Sequence, residues 1–140
     1  MTIKELVLRI QDRPGELARI IGHLYENDVQ VLAFWVGAEN KKGTFRFIAS
    51  DPKAAVSVLT GLGFKVATLD VIAAQVPDHP GGLNSILRIL ESEKVNILHM
   101  YPCLQTKDPV LILEADKVEK AVTALTTNWI SLYDERLYNL

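Results

Sequence analysis

The chain has a single cysteine, Cys103, among 140 residues. That excludes an internal disulfide and a zinc site built on several thiolates. Its three histidines, His23, His79 and His99, fall into no His-x-x-x-His or carboxylate–histidine spacing, so no metal centre is expected. Neither sign of charge dominates: 15 Lys and Arg stand against 17 Asp and Glu. With no basic stripe, nucleic-acid binding lacks its electrostatic footprint. There is no phosphate loop of the G-x-x-x-x-G-K-[ST] type, and Cys103 follows Pro102 with no neighbouring base. No catalytic residue and no cofactor are therefore expected. Apolar runs such as residues 31–36 are far short of a membrane span. The opening Met-Thr-Ile-Lys-Glu lacks the apolar region of a signal peptide, which leaves the cytoplasm as the expected location.

What the chain does have is itself, twice. Residues 12–26 read Asp-Arg-Pro-Gly-Glu-Leu-Ala-Arg-Ile-Ile-Gly-His-Leu-Tyr-Glu; residues 78–92 read Asp-His-Pro-Gly-Gly-Leu-Asn-Ser-Ile-Leu-Arg-Ile-Leu-Glu-Ser. At an offset of 66 residues, without a gap, Asp12/Asp78, Pro14/Pro80, Gly15/Gly81, Leu17/Leu83, Ile20/Ile86, Leu24/Leu90, Val29/Val95 and Leu59/Leu125 coincide. Such a period is too long for a solenoid and right for a small domain. Two domains are expected, 1–69 and 70–140. With 49% apolar residues the whole chain can bury a core, whereas one half alone would be marginal.

Within the first half, residues 3–11 alternate apolar and polar as a half-buried strand does. Pro14 reads as a first helical position, and Leu17, Ile20, Ile21 and Leu24 follow one helix face. Residues 29–36 read as a second strand, 40–43 as a hairpin loop and 44–49 as a third strand. Asp51-Pro52 opens a second helix, and 64–69 form a fourth strand. The second half repeats the order: strand 71–76, helix 80–93, strands 95–101 and 110–115, a helix from Lys117 to about Thr126, and strand 130–132. Twice βαββαβ predicts an α+β chain of two tandem ferredoxin-like sandwiches, antiparallel sheets with helices on one face. The second strand of each half is an edge, and 29–36 is apolar, so edge pairing with a second copy, a homodimer, is expected.

The Asp-x-Pro-Gly-x-Leu opening, the amphipathic helix behind it and the following Val29-Gln30-Val31 and Val95-Asn96-Ile97 strands resemble the ACT domain, a regulatory module that senses amino acids. The likeness covers both halves and is similar to stand-alone tandem ACT proteins, which carry no attached enzyme. It implies a free amino acid or similar small zwitterion as ligand. A helix N-terminus offers N–H groups to a carboxylate, and a side-chain oxygen can receive an ammonium. Asp12, Arg13, Pro14, Gly15, Glu16 and Leu17, with Asp78, His79, Pro80, Gly81, Gly82 and Leu83, place both features at a strand-to-helix turn. Gly81-Gly82 adds backbone without Cβ, with room for a ligand's close approach. The resemblance adds an amide near the start of the second strand: Asn96 keeps the usual residue, while Gln30 departs from it. Ile97 and His99 on the same strand complete the candidate set.

Each of these residues also has a purely structural explanation. Asp is among the best helix N-caps. Asn96 can hydrogen-bond its own backbone at a turn end. Three function classes follow: an amino-acid sensor, a ligand-free subunit that modulates a partner enzyme, and a small enzyme or RNA binder, the last without the aromatic platform or charge it needs.

Overall fold

The computed structural model describes residues 1–139; Leu140, the last residue of the second expected domain, lies outside them. The elements are β1 (Ile3–Gln11), α1 (Glu16–Glu26), β2 (Val31–Glu39), β3 (Lys42–Ala49), α2 (Pro52–Gly61), β4 (Val66–Gln75), α3 (Gly82–Ser92), β5 (Ile97–Pro102), β6 (Val110–Ala115), α4 (Val118–Thr127) and β7 (Leu132–Tyr133). The chain divides into two compact units, Lys4–Leu69 and Asp70–Leu140, with Met1–Ile3 joined to the second.

In the first unit the strand order is β2-β3-β1-β4, with β3 antiparallel to both of its neighbours. Strand geometry sends alternate residues to one face, so Leu6, Leu8 and Ile10 of β1 lie beside Phe45 and Phe47 of β3. Ile20 and Leu24, one helical turn apart on α1, and Ala55 and Leu59 of α2 close over them. The Phe45 and Phe47 rings stack at 4.6 Å between centroids. Fully burying each such side chain contributes about 1.5–3 kcal/mol. β2 and β3 meet in a two-residue hairpin at Asn40-Lys41, both left-handed at φ 53° and 62°. That is the primed turn whose twist suits a hairpin.

The second unit repeats the scheme. β6 lies between β5 and β4, and β7 pairs with the other side of β4, at Ala73↔Tyr133 and Ala74↔Leu132. Its core gathers Ile72, Ile86, Leu90, Leu113, Ala121, Leu125 and Ile130, several of them repeat counterparts of first-unit core residues.

Several boundaries differ from the sequence reading. The helices start at Glu16 and Gly82, two residues past the prolines, because Gly15 and Gly81 take left-handed φ of 83° and 84°. Pro14 and Pro80 thus precede the helices instead of opening them. The strands expected at 64–69 and 71–76 are one strand, β4, that no turn interrupts. The closing strand is only Leu132–Tyr133, and a 3₁₀ turn at Glu135–Asn139 follows it. Nor is the sheet face away from the helices bare in the first unit, where Glu5, Ala33 and Ile48 are buried. Arg46 on β3 donates to Glu5 at 3.1 Å. Without that partner a buried carboxylate would cost several kcal/mol.

The end of α4 departs from its counterpart. Gly63, after α2, is left-handed at φ 93°, and Trp129 holds the same position after α4 at φ 66° with 91% of its surface exposed. A left-handed L-residue costs about 1–2 kcal/mol, and glycine in exchange gives up about 0.5–1 kcal/mol of chain entropy. Trp129→Gly is therefore expected to stabilise the second unit by about 0.5–1 kcal/mol. Urea denaturation checks it, and a lowered midpoint would show that the exposed indole supports the fold.

Candidate functional site

Each strand-to-helix turn is built by the same local rule. Proline fixes one backbone angle, the next glycine turns left-handed, and the helix begins only after it. Consequently Gly15 and Gly81 occupy the N-cap positions of α1 and α3, and no side chain caps either helix. Capping by aspartate occurs elsewhere: the Asp51 carboxylate accepts from Ala54 N at 3.1 Å, with Pro52 opening α2. Asp12 and Asp78 are exposed, and neither carboxylate has a hydrogen-bond or ion-pair partner among the described residues. The capping explanation does not apply to them.

The start of the second strand shows a parallel result. Gln30 N donates to Ser50 Oγ at 2.9 Å, and Ser50 N donates back to Gln30 O at 2.9 Å. In the second unit Asn96 N donates to Asp116 Oδ1 at 2.9 Å, and Asp116 N to Asn96 O at 3.0 Å. Ser50 and Asp116 therefore fix the backbone, and the Gln30 and Asn96 side chains, both exposed, stay open. The sequence reading missed this pair, although Ser50 and Asp116 share the 66-residue offset. Ile97, half-buried, packs on the core, while His99 pairs with Glu114 on β6 on the opposite face.

The two ends of the expected site do not meet inside one unit. Asp78 precedes α3 and Asn96 follows it, and 11 helical residues span about 16 Å. Asp12 and Gln30 are separated by α1 in the same way. Open cavities lie by the amides: one of 380 Å³ lined by Leu87, Glu91, Lys94, Asn96 and Ile97, and one of 260 Å³ lined by Tyr25, Asp28, Gln30 and Ser50.

The loops also differ from each other. Glu16 is 4% exposed; Arg13 donates to its Oε2 from Nε at 3.0 Å, and Arg19 donates to its Oε1 at 3.0 Å. Arg19 also lies over the Phe64 ring, 5.7 Å from its centroid. The Arg19 hydrogen bond, seconded by Arg13 and opposed by burial, holds the Glu16 carboxyl below the usual carboxylate range. Gly82 replaces this carboxylate in the second loop. A Cβ there would collide with the Pro77 carbonyl oxygen. The space expected for a ligand at Gly82 is thus occupied by the protein's own backbone. Gly82 N donates to His79 O at 3.0 Å, which leaves the N–H groups of Leu83 and Asn84 without an acceptor among the described residues. His79 is exposed, its Nδ1 2.9 Å from Pro80 O. Among the described residues no three His, Cys, Asp or Glu side chains cluster as metal ligands, and no helix is long and apolar enough to cross a membrane.

A carboxyl whose folded-state pKa is lowered stabilises the fold above its unfolded-state pKa, and that contribution vanishes as pH falls through the folded value. Glu16→Gln should therefore lower the thermal midpoint of the first unit at neutral pH, with the difference from wild type shrinking below pH ~4. A gap that stays constant through the acid range would refute the charge-pair origin.

The sequence model for an ACT domain pair matches residues 1–139. Protein BT0572 from Bacteroides thetaiotaomicron has a crystal structure that superposes with a TM-score of 0.91 at 26% identity, over 100% of this chain and 98% of that one. The ligand-free regulatory subunit of aspartate kinase from Thermus thermophilus shares the fold at a TM-score of 0.63 and 16% identity, covering 90% and 91%. Aspartate kinase from Synechocystis does so at 0.61 and 16%, over 89% of this chain and 25% of that enzyme. No curated protein matches the chain in sequence. On the family match over nearly its full length, together with two βαββαβ units in gap-free register, the chain belongs to the ACT family as an ACT domain pair.

Proposed function

We propose that this ACT pair is a non-catalytic, cytoplasmic regulatory protein that binds a free amino acid or similar small zwitterion, with residues 1–69 and 70–140 as its two ACT domains. One observation carries the reading: at the 78–83 turn an unpartnered aspartate stands at the entry of α3, whose first N–H groups at Leu83 and Asn84 are open. The two features are complementary to an ammonium and a carboxylate. Asp78 takes the ammonium, the Leu83 and Asn84 N–H groups take the carboxylate, and Asn96 supplies an amide from another copy.

The strand order explains how another copy reaches the site. β1 and β2 both run antiparallel to β3, so they end at the same end of the unit, where the turn lies, and β2 starts at the far end. Antiparallel pairing of two edge strands sets the start of one beside the end of the other. In the second unit the same pairing through β5 carries a partner's Asn96 toward Asp78. The edges suit it: Phe34 and Val36 on β2 and Leu98 and Met100 on β5 are exposed apolar residues. A partner enzyme added to the same edges gives the second reading, a regulatory subunit, and the aspartate kinase subunit that shares the fold is the reason to keep it.

Calorimetric titration with the twenty common amino acids tests the sensor reading. With the ligand so found, Asp78→Asn is expected to lower affinity at least about tenfold, as for a hydrogen bond to a charged group, with the thermal midpoint unchanged. Equal affinity would remove the ammonium role. For the assembly, Leu32 is buried, so a lysine there would test folding. Phe34→Lys and Met100→Lys are the informative variants. Their combination should halve the mass seen by light scattering, and an unchanged mass would exclude the edges.

A further inference from the structure

On the sheet face away from α1 and α2, β1 and β4 of the first unit enclose a cavity of 350 Å³ lined by Val7, Leu8, Arg9, Lys65, Val66 and Ala67. Leu8 and Val66 turn their side chains to the core, so the cavity wall on this face comes from Val7, Arg9, Lys65 and Ala67. Arg9 and Lys65 are both exposed, and neither has an ion pair or hydrogen bond from its side chain among the described residues. No acidic residue lines the cavity. Arg46, another cation of this face, is already neutralised by Glu5.

The repeat shows how close the two cations are. Their counterparts 66 residues on are Gln75 and Ser131, where Gln75 N donates to Ser131 O at 2.9 Å. The same offset puts Arg9 and Lys65 at the equivalent cross-strand positions, and both line the one cavity. Like charges facing each other across a ladder are destabilising, and the second unit places two neutral residues at these positions. A concave site of this volume suits a small ligand, and two uncompensated cations with an apolar floor select its charge.

We propose that this cavity binds a small organic or inorganic anion, a carboxylate or phosphate held between the Arg9 guanidinium and the Lys65 ammonium. It is a site of the first unit alone and does not depend on the amino-acid reading of the 78–83 turn. Arg9 gives the anion a planar, two-pronged donor, and Lys65 supplies a point charge.

The test titrates the intact protein with inorganic phosphate and, separately, with succinate at constant ionic strength, following amide and arginine side-chain signals by NMR. Saturable shifts confined to Val7, Arg9, Val66 and Ala67 are expected. Arg9→Gln with Lys65→Gln should weaken binding at least about tenfold, since each removes a charged hydrogen bond. Whichever anion binds more tightly identifies the acid group. Asp78→Asn should leave these shifts untouched, so loss of amino-acid binding and loss of anion binding are separate results. Absence of saturation with both anions, or equal affinity in the double variant, would overturn the proposal.

Discussion

A left-handed glycine directly after a proline, once in each unit, governs much of what lies around it. At Gly15 and Gly81 the backbone takes a conformation that side chains with a Cβ resist, and this postpones the helix to Glu16 and Gly82. Had the helix begun at the proline, the aspartates two residues earlier would have been within reach of its first N–H groups. Because it begins later, those N–H groups and the carboxylates are left separate, and both remain open. The polar character of the turn is thus set by backbone geometry before any side chain is chosen.

The two units show how one scaffold tolerates different electrostatics. Glu16 inserts a carboxylate between two guanidiniums, and its partner position must be glycine because the Pro77 carbonyl fills the space. Arg9 and Lys65 have Gln75 and Ser131 at the corresponding positions of the second repeat. The cores change far less, since Ile20/Ile86, Leu24/Leu90 and Leu59/Leu125 carry the packing in both. Core positions are held by shape, whereas the ends of the strands are free to diverge in charge.

Much of the fold was legible because its signals are periodic. The alternation in β1, the helical spacing of Leu17, Ile20 and Leu24, and above all the gap-free repeat gave element order and type. What escaped were features decided by single backbone angles or by distant partners. Helix starts depended on the φ of Gly15 and Gly81. Continuity of β4 depended on Asp70 keeping extended geometry where two domains were expected to divide. For the candidate site, residue identity showed a suitable turn and amide, but only the structure showed that Asp51 caps while Asp12 and Asp78 do not, and that Ser50 and Asp116 release Gln30 and Asn96.

The uninterrupted β4 also limits how this chain can vary. Val66 packs into the core of the first unit, and Ile72 and Ala74 into that of the second, all at even positions of one strand. Two domains joined by a flexible linker could absorb an added or lost residue between them without consequence. Here the strand runs on through Asp70, so a single inserted residue there breaks the alternation of β4 itself, while an insertion of two preserves it. The junction between the repeats, ordinarily where duplicated proteins drift most freely in length, is in this chain a place where length is counted in pairs.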